Sequence, residues 1–272
     1  MTSESTADRA LRWCLLVVVL VQCAGYLGQA LLGETEIFEF LFLVADLSES
    51  TSEMLAGGGT MVVFGLAVGL FFVPSPIAAL LIAGWFFFSA VADMRLGGAP
   101  FSHLAILSHS IRYLSPVALA LLMHRGGDSA DGGSETWLVW LLQLGVGATF
   151  LAHGWEALEV HPRFVDYLLL ASRRLLGTPL AESSATTLLV VIGAVDVLVA
   201  ILALAGLRHR YLLWYMAAWG AIAALARMVH GGFWAFPSTF VRAANGGGPL
   251  AYYLAIRSEE SSASDDATAD QP

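Results

Sequence analysis

The chain has 272 residues, 57% of them hydrophobic and only 13% charged, where a soluble domain carries about 25% charged residues. Its mean hydropathy of +0.72 excludes an ordinary soluble enzyme and points to a polytopic membrane protein. The absence of lysine excludes Schiff-base chemistry, hence retinal pigments and pyridoxal enzymes, and the net charge of −9 argues against nucleic acid as a partner.

A bilayer-spanning helix needs about 20 apolar residues, and about eight such segments are predicted. The first runs from about Leu11 to Leu32. Arg9 and Arg12 before it imitate a signal peptide, but no A-x-A site follows, so a retained helix is expected. It carries both cysteines, Cys14 and Cys23, which form no C-x-x-C and read as small buried apolar groups. The second covers about Leu55 to Val73, and Pro74, Ser75 and Pro76 turn the chain into the third, about Ile77 to Ala92. The fourth is about Leu104 to His124, and the polar glycine-rich stretch Arg125 to Thr136 reads as a linker.

Beyond the linker, the fifth helix runs from Trp137 to about Leu158. After Pro162, "RFVDYLLLASRRLLG" reads as an amphipathic helix lying along the membrane, with Arg173 and Arg174 placed to meet lipid phosphates. The sixth covers Thr186 to Leu207, the seventh Tyr211 to Val229 and the eighth, the shortest, about Gly247 to Ile256. The acidic end, residues 258–272, reads as a disordered tail.

The segments on the two sides of the linker resemble each other. "YLGQALLGETEIFEF", from Tyr26, is similar to "FLAHGWEALEVHPRF", from Phe150, with Gln29 opposite His153. Later, a Gly-Gly pair, an arginine (Arg112 or Arg242), a proline and an apolar run recur in the same order. The expected fold is therefore an all-α membrane bundle of about eight transmembrane helices in two tandem four-helix modules, residues 1–124 and 137–257. Arg9, Arg12, Arg125, Arg208, Arg210 and Arg257 fall on one side, which predicts both termini in the cytoplasm. The lysine-free, acidic composition fits a high-GC or salt-adapted microbe, so a prokaryotic cytoplasmic (inner) membrane is expected.

The ionisable groups have a depth pattern. His153 and Glu156 fall near the outer end of the fifth helix, Arg227 and His230 near the outer end of the seventh, His109 and Arg112 in the outer third of the fourth, Asp93 and Arg95 at the end of the third, and Arg242 and Asn245 lead into the eighth. Asp196 is deeper, flanked on both sides by apolar residues, where a bare carboxylate costs several kcal/mol. Its expected partner is Arg227, Arg242 or a histidine. His153, Glu156, Asp196, Arg227, His230 and Arg242 are thus the candidate lining of a polar, ligand-binding cavity opening on the outer side. No metal is expected: H-E-x-x-H is absent, and the Glu-x-x-His of di-iron bundles stands reversed as His-x-x-Glu. Glu159 and His161 are assigned to water, and the tryptophans, Trp219 among them, to aromatic belts near helix ends.

"GATFLAHGWEAL", Gly147 to Leu158, resembles the first-helix motif of DoxX-like membrane proteins, an apolar glycine-bearing run that ends in a His-Gly pair. "RMVHGG" and "VRAANGGGPLAYYL", from Arg227 and Val241, are similar to that family's closing segment. The resemblance covers about Trp137 to Arg257 and implies an integral membrane helical bundle. Some relatives are subunits of quinone-linked oxidoreductases, including thiosulfate:quinone systems. Two readings follow. One is a redox-associated subunit that binds a quinone, has no intrinsic cofactor, and needs a partner redox subunit. The other is a non-catalytic binder or transporter of a small molecule or lipid, with a purely structural subunit of a membrane complex as a third.

Overall fold

Capping residues punctuate the apolar runs. After α1 (Thr6–Leu31), Thr35 accepts the Phe38 amide N–H at 3.2 Å and starts the short α2 (Glu36–Leu43). Ser48 caps α3 (Glu49–Gly69) in the same way, and Ser75 caps α4 (Pro76–Leu96), whose proline sits where its missing N–H is harmless. A 3-10 turn (Ser102–Leu104), α5 (Ala105–Ser108) and α6 (Ser110–Asp128) follow. The second half contains α7 (Gly133–Leu158), α8 (Pro162–Leu175), α9 (Glu182–Leu204), α10 (Arg210–Gly231), a 3-10 turn (Phe233–Ala235), α11 (Phe236–Phe240) and α12 (Ala243–Ala269). This computed structural model describes residues 6–128 and 133–269, which are all-α, with no strand among them.

Seven helices are long and apolar enough to cross a membrane among the described residues, one fewer than the eight predicted. The missing one is α12, whose apolar part is short. It nevertheless runs antiparallel to α1 through the same thickness: Gly25 packs on Val241, Val18 on Gly247, and Ser258 donates a hydrogen bond to Asp8. α12 also packs against α6, α7 and α10, so protein rather than lipid surrounds it. A helix in that position does not need an apolar face in every direction.

Three other expectations are corrected. Residues 258–269, predicted as a disordered tail, continue α12. No glycine or proline interrupts them, and the first of them are held by Arg208 to Glu259 and by Arg257 to Glu260, the latter at 3.6 Å. The predicted linker at 125–136 is helical on both flanks, α6 reaching Asp128 and α7 starting at Gly133, with no proline between; residues 129–132 lie outside the described residues. The fourth predicted helix is broken at His109, which divides α5 from α6.

The two halves repeat one order of elements: a long helix, a short one, two long ones, a 3-10 turn with a short helix, and a final long helix. Their buried positions share a spacing. Ser52, Ala56, Thr60, Val63 and Ala67 of α3 correspond to Ala185, Leu189, Gly193, Asp196 and Ala200 of α9. Ala79, Ile82, Phe86 and Ala90 of α4 correspond to Leu213, Met216, Gly220 and Ala224 of α10. On α1 and α7 this register sets Tyr26 against His153 and Gln29 against Glu156. At the broken helices it sets His109 against Arg242, Arg112 against Asn245 and Pro116 against Pro249. The pairings of Gln29 with His153 and of Arg112 with Arg242 are displaced by three residues. A slip of almost one turn keeps nearly the same helix face, so letters alone do not detect it.

Candidate functional site

The far end of the bundle, away from the termini, holds two adjoining cavities. The first, of about 270 Å³, lies between α7, α8, α9, α10 and α12 and is mostly apolar, walled by Phe150, Leu168, Leu189, Ile192 and Ile222 among others. The second, of about 120 Å³, is polar and lies above it, where the 3-10 turn, α5 and the starts of α6 and α8 meet the ends of α4, α7 and α10. His153, Phe164, Tyr167 and Arg227 line both and form the wall between them.

Close helix approach positions the apolar cavity. At Gly193 a Cβ would meet the Leu158 amide N at 2.7 Å and the Gly154 carbonyl O at 2.8 Å, so α7 and α9 touch through backbone. This is the small-residue packing that membrane helices use in place of a hydrophobic driving force. It also explains the glycine of the His-Gly pair: a side chain at Gly154 would collide with the Val197 amide N at 2.9 Å. Asp196 is buried one turn beyond Gly193 and faces the cavity. Its partner is not an arginine or a histidine, as the sequence suggests, but Trp219, whose Nε1–H donates to Oδ2 at 3.2 Å. Trp219 is therefore a site residue rather than a belt residue. Asp196 Oδ1 has no hydrogen-bond partner within the protein, nor do Asn245 Oδ1, Arg227 Nε and His153 Nε2. Buried polar groups are seldom left so.

His153 Nδ1 lies 3.0 Å from Glu156 Oε2, one turn along α7. The carboxylate accepts the hydrogen bond from Nδ1–H, and Nε2 is left without a partner beside the apolar cavity. Glu156 lines the polar cavity with Asp93, His109, Arg112, His161 and Arg242. His109 Nε2 is 3.8 Å from Asp93 Oδ2. Arg112 is 1% exposed, and its Nε and Nη2 have no partner. Arg227 and Arg242 each donate one bond to a backbone carbonyl, of Ala223 and Ser238, at 2.7 Å, and leave Nε unpartnered. The Arg227 guanidinium also lies over the Tyr167 ring, 5.4 Å from its centre.

His161, assigned to water from the sequence, is buried and caps α8: its Nδ1 accepts the Arg163 amide N–H at 3.1 Å, with Pro162 at the first helical position. Burial lowers its pKa below the ordinary 6.5, opposed by the Glu156 charge. Its ring stacks on Phe164 at 4.6 Å and faces Phe101 at 5.4 Å. Two residues at this mouth hold left-handed backbone without being glycine, Phe101 (φ 65) and Val160 (φ 56), a strain that persists only where the surroundings enforce it.

Of the six residues predicted from the sequence, His153 and Arg227 line both cavities, Asp196 the apolar one, and Glu156 and Arg242 the polar one. His230 does not belong. It is exposed, lines neither cavity, and packs edge-on against Tyr167 at 5.3 Å. Asp93, His109, Arg112 and Asn245, which the sequence places in the same outer polar layer but not among the six candidates, also line the cavities, as do His161, Tyr167 and Trp219, which it did not single out. Arg112 and Asn245 carried a signal, since each stands four residues before the proline of its broken helix. Arg174, assigned to lipid, donates instead to the Val229 carbonyl and fastens α8 to α10. Among the described residues no group of three or more His, Cys, Asp or Glu is arranged to hold a metal ion. No family model, curated protein or solved structure matches the chain.

Proposed function

We propose that the protein is a membrane subunit of the DoxX-like kind that binds a quinone in its reduced form, the quinol, within the apolar cavity. One observation carries this reading: the cavity is apolar except for unpartnered atoms, and most of those atoms are acceptors. Asp196 Oδ1, Asn245 Oδ1 and, in a neutral ring, His153 Nε2 each accept a hydrogen bond from a hydroxyl, and only Arg227 Nε donates. A quinone offers two acceptors and would meet mainly acceptors. A quinol offers two hydroxyl donors on a flat apolar ring and matches them. The volume of about 270 Å³ suits a single ring with its substituents, since a cavity of about 150 Å³ already holds benzene. His153 then links the ring to Glu156 and so to the polar cavity, a route for a hydroxyl proton to leave. The electrons require a partner redox subunit.

On this reading the chain is two tandem modules, residues 1–124 and 137–257, with α12 as an eighth crossing and the site in the second. The repeated element order and the shared buried spacing support it. Arg9, Arg12, Arg208, Arg210 and Arg257 at the end that holds both termini support a cytoplasmic location for that end, in a prokaryotic inner membrane.

The test is binding of a short-chain quinol to the protein purified in mild detergent. Asp196→Asn weakens it at least about tenfold, because the amide offers a single acceptor oxygen to share between Trp219 and the ligand. Glu159→Gln, at an exposed position outside both cavities, leaves it unchanged. Equal effects of the two substitutions sink the reading. A co-purifying lipid or polar solute in place of a quinone favours the non-catalytic binder or transporter.

A further inference from the structure

We infer that the polar cavity is a binding site for a tetrahedral oxyanion of the phosphate or phosphomonoester class, held by Arg112, Arg227 and Arg242. The inference is independent of what fills the apolar cavity. The three guanidiniums come from different elements: α6, α10, and the junction of α11 with α12. They are near enough for their charges to act on one another. None forms an ion pair with a carboxylate among the described residues. Like charges gathered in a buried place destabilise the fold unless something of opposite sign joins them.

The carboxylates at hand do not neutralise the set. Asp93 and Glu156 line the cavity, but Glu156 is engaged by His153 at 3.0 Å and Asp93 faces His109 at 3.8 Å. With Arg163 at the mouth, four arginines stand against those two carboxylates and Glu36, whose charge also acts on Arg242 and Asp93, an excess of positive charge that favours an anion. Unused donors point the same way, since Nε and Nη2 of Arg112 and Nε of both Arg227 and Arg242 have no acceptor within the protein. Two helix starts add to the field: α6 begins at Ser110 and α12 at Ala243, on either side of the cavity, and helix N-termini carry partial positive charge. A carboxylate has two oxygens and is satisfied by one guanidinium fork. Three forks from three directions fit an anion with three or more terminal oxygens. The volume of about 120 Å³ admits one such group. The source is either the free anion or a phosphomonoester lipid whose head enters from the mouth.

The experiment is thermal unfolding of the whole chain in neutral detergent, with inorganic phosphate titrated at ionic strength held constant by chloride, and with acetate as the comparison. Phosphate at saturation raises the midpoint by at least about 3 °C, and acetate does not. Arg242→Gln and Arg112→Gln each lose the rise, and Arg257→Gln, at the opposite end of the bundle, keeps it. Should a cavity variant not fold, calorimetric titration of the unmodified protein decides: phosphate binds at least tenfold more tightly than acetate. Phosphatidic acid in phosphatidylcholine nanodiscs separates the sources. If it removes the response to phosphate, a lipid monoester occupies the site; if the response persists, the free anion does. No rise with phosphate, an equal rise with acetate, or a rise that survives in a folded Arg242→Gln overturns the inference.

Discussion

Where α1, α3 and α4 meet, Tyr26 stacks on Phe86 with ring centres 5.0 Å apart, and Val63 is buried nearby. At the corresponding place between α7, α9 and α10, His153 stands for Tyr26, Gly220 for Phe86 and Asp196 for Val63. The first half is filled by two rings; the second has neither and holds a cavity of about 270 Å³. One residue type stands at both places with different contacts. Trp85 packs against Gly59 with its Nε1 unpartnered, whereas Trp219, at the same place on α10, donates to Asp196. The same scaffold position thus serves packing in one half and a binding site in the other, and side-chain volume decides which.

The largest way to break this comparison is to empty the filled half. Tyr26→Ala removes a ring that is 2% exposed, together with its hydroxyl bond to Ser89, and is expected to destabilise by about 3–5 kcal/mol. Leu168→Ala, which takes a half-buried apolar side chain from the wall of the existing cavity and only enlarges it, is expected to cost about 1 kcal/mol. Thermal or denaturant unfolding in detergent checks both, and equal losses would mean the halves are not packed differently.

A middle-sized effect sharpens the contrast at the helix seams. Gly193→Leu drives a side chain into the backbone of α7 and is expected to cost about 2–4 kcal/mol. Gly65→Leu in the first half has open space around its Cβ and should leave the midpoint nearly unchanged. A tolerated Gly193→Leu would remove the seam as the device that positions Asp196.

The smallest effect is a pH dependence confined to the second half. His161 faces Glu156, Arg163 and His153 and has its pKa lowered by burial. The unfolded chain therefore binds a proton at a higher pH than the folded one. Stability due to the neutral ring is present above about 6.5 and declines as pH falls below it. His161→Gln is expected to flatten the unfolding midpoint over that range, and an unchanged slope would assign the dependence to other groups.

The membrane class, the amphipathic α8 and the gathering of five of the six candidate residues at the two cavities were legible because they rest on composition and on helical spacing, which survive without coordinates. The division into two cavities was not. It depends on Gly220 in place of a ring and on Gly154 against Gly193, and a glycine in an apolar run looks the same whether it faces lipid or another backbone. Asp196 was visible as an anomaly, but Trp219 was not visible as its partner. A tryptophan donates one hydrogen bond from any depth, and six of its kind near predicted helix ends drew it into a belt. His161 was misplaced because capping geometry, not hydropathy, carries the turn at Pro162.

The antiparallel run of α12 along α1 has a consequence for parity. Hydropathy finds seven crossings, and an odd number sends the two ends of a chain to opposite compartments. The bond from Ser258 to Asp8 ties the last long helix to the start of the first, so on the proposed eight-crossing reading both ends of the chain lie on one side. Reporters fused to either terminus therefore read the same compartment. A topology drawn from hydropathy alone would place the C-terminal end on the wrong side.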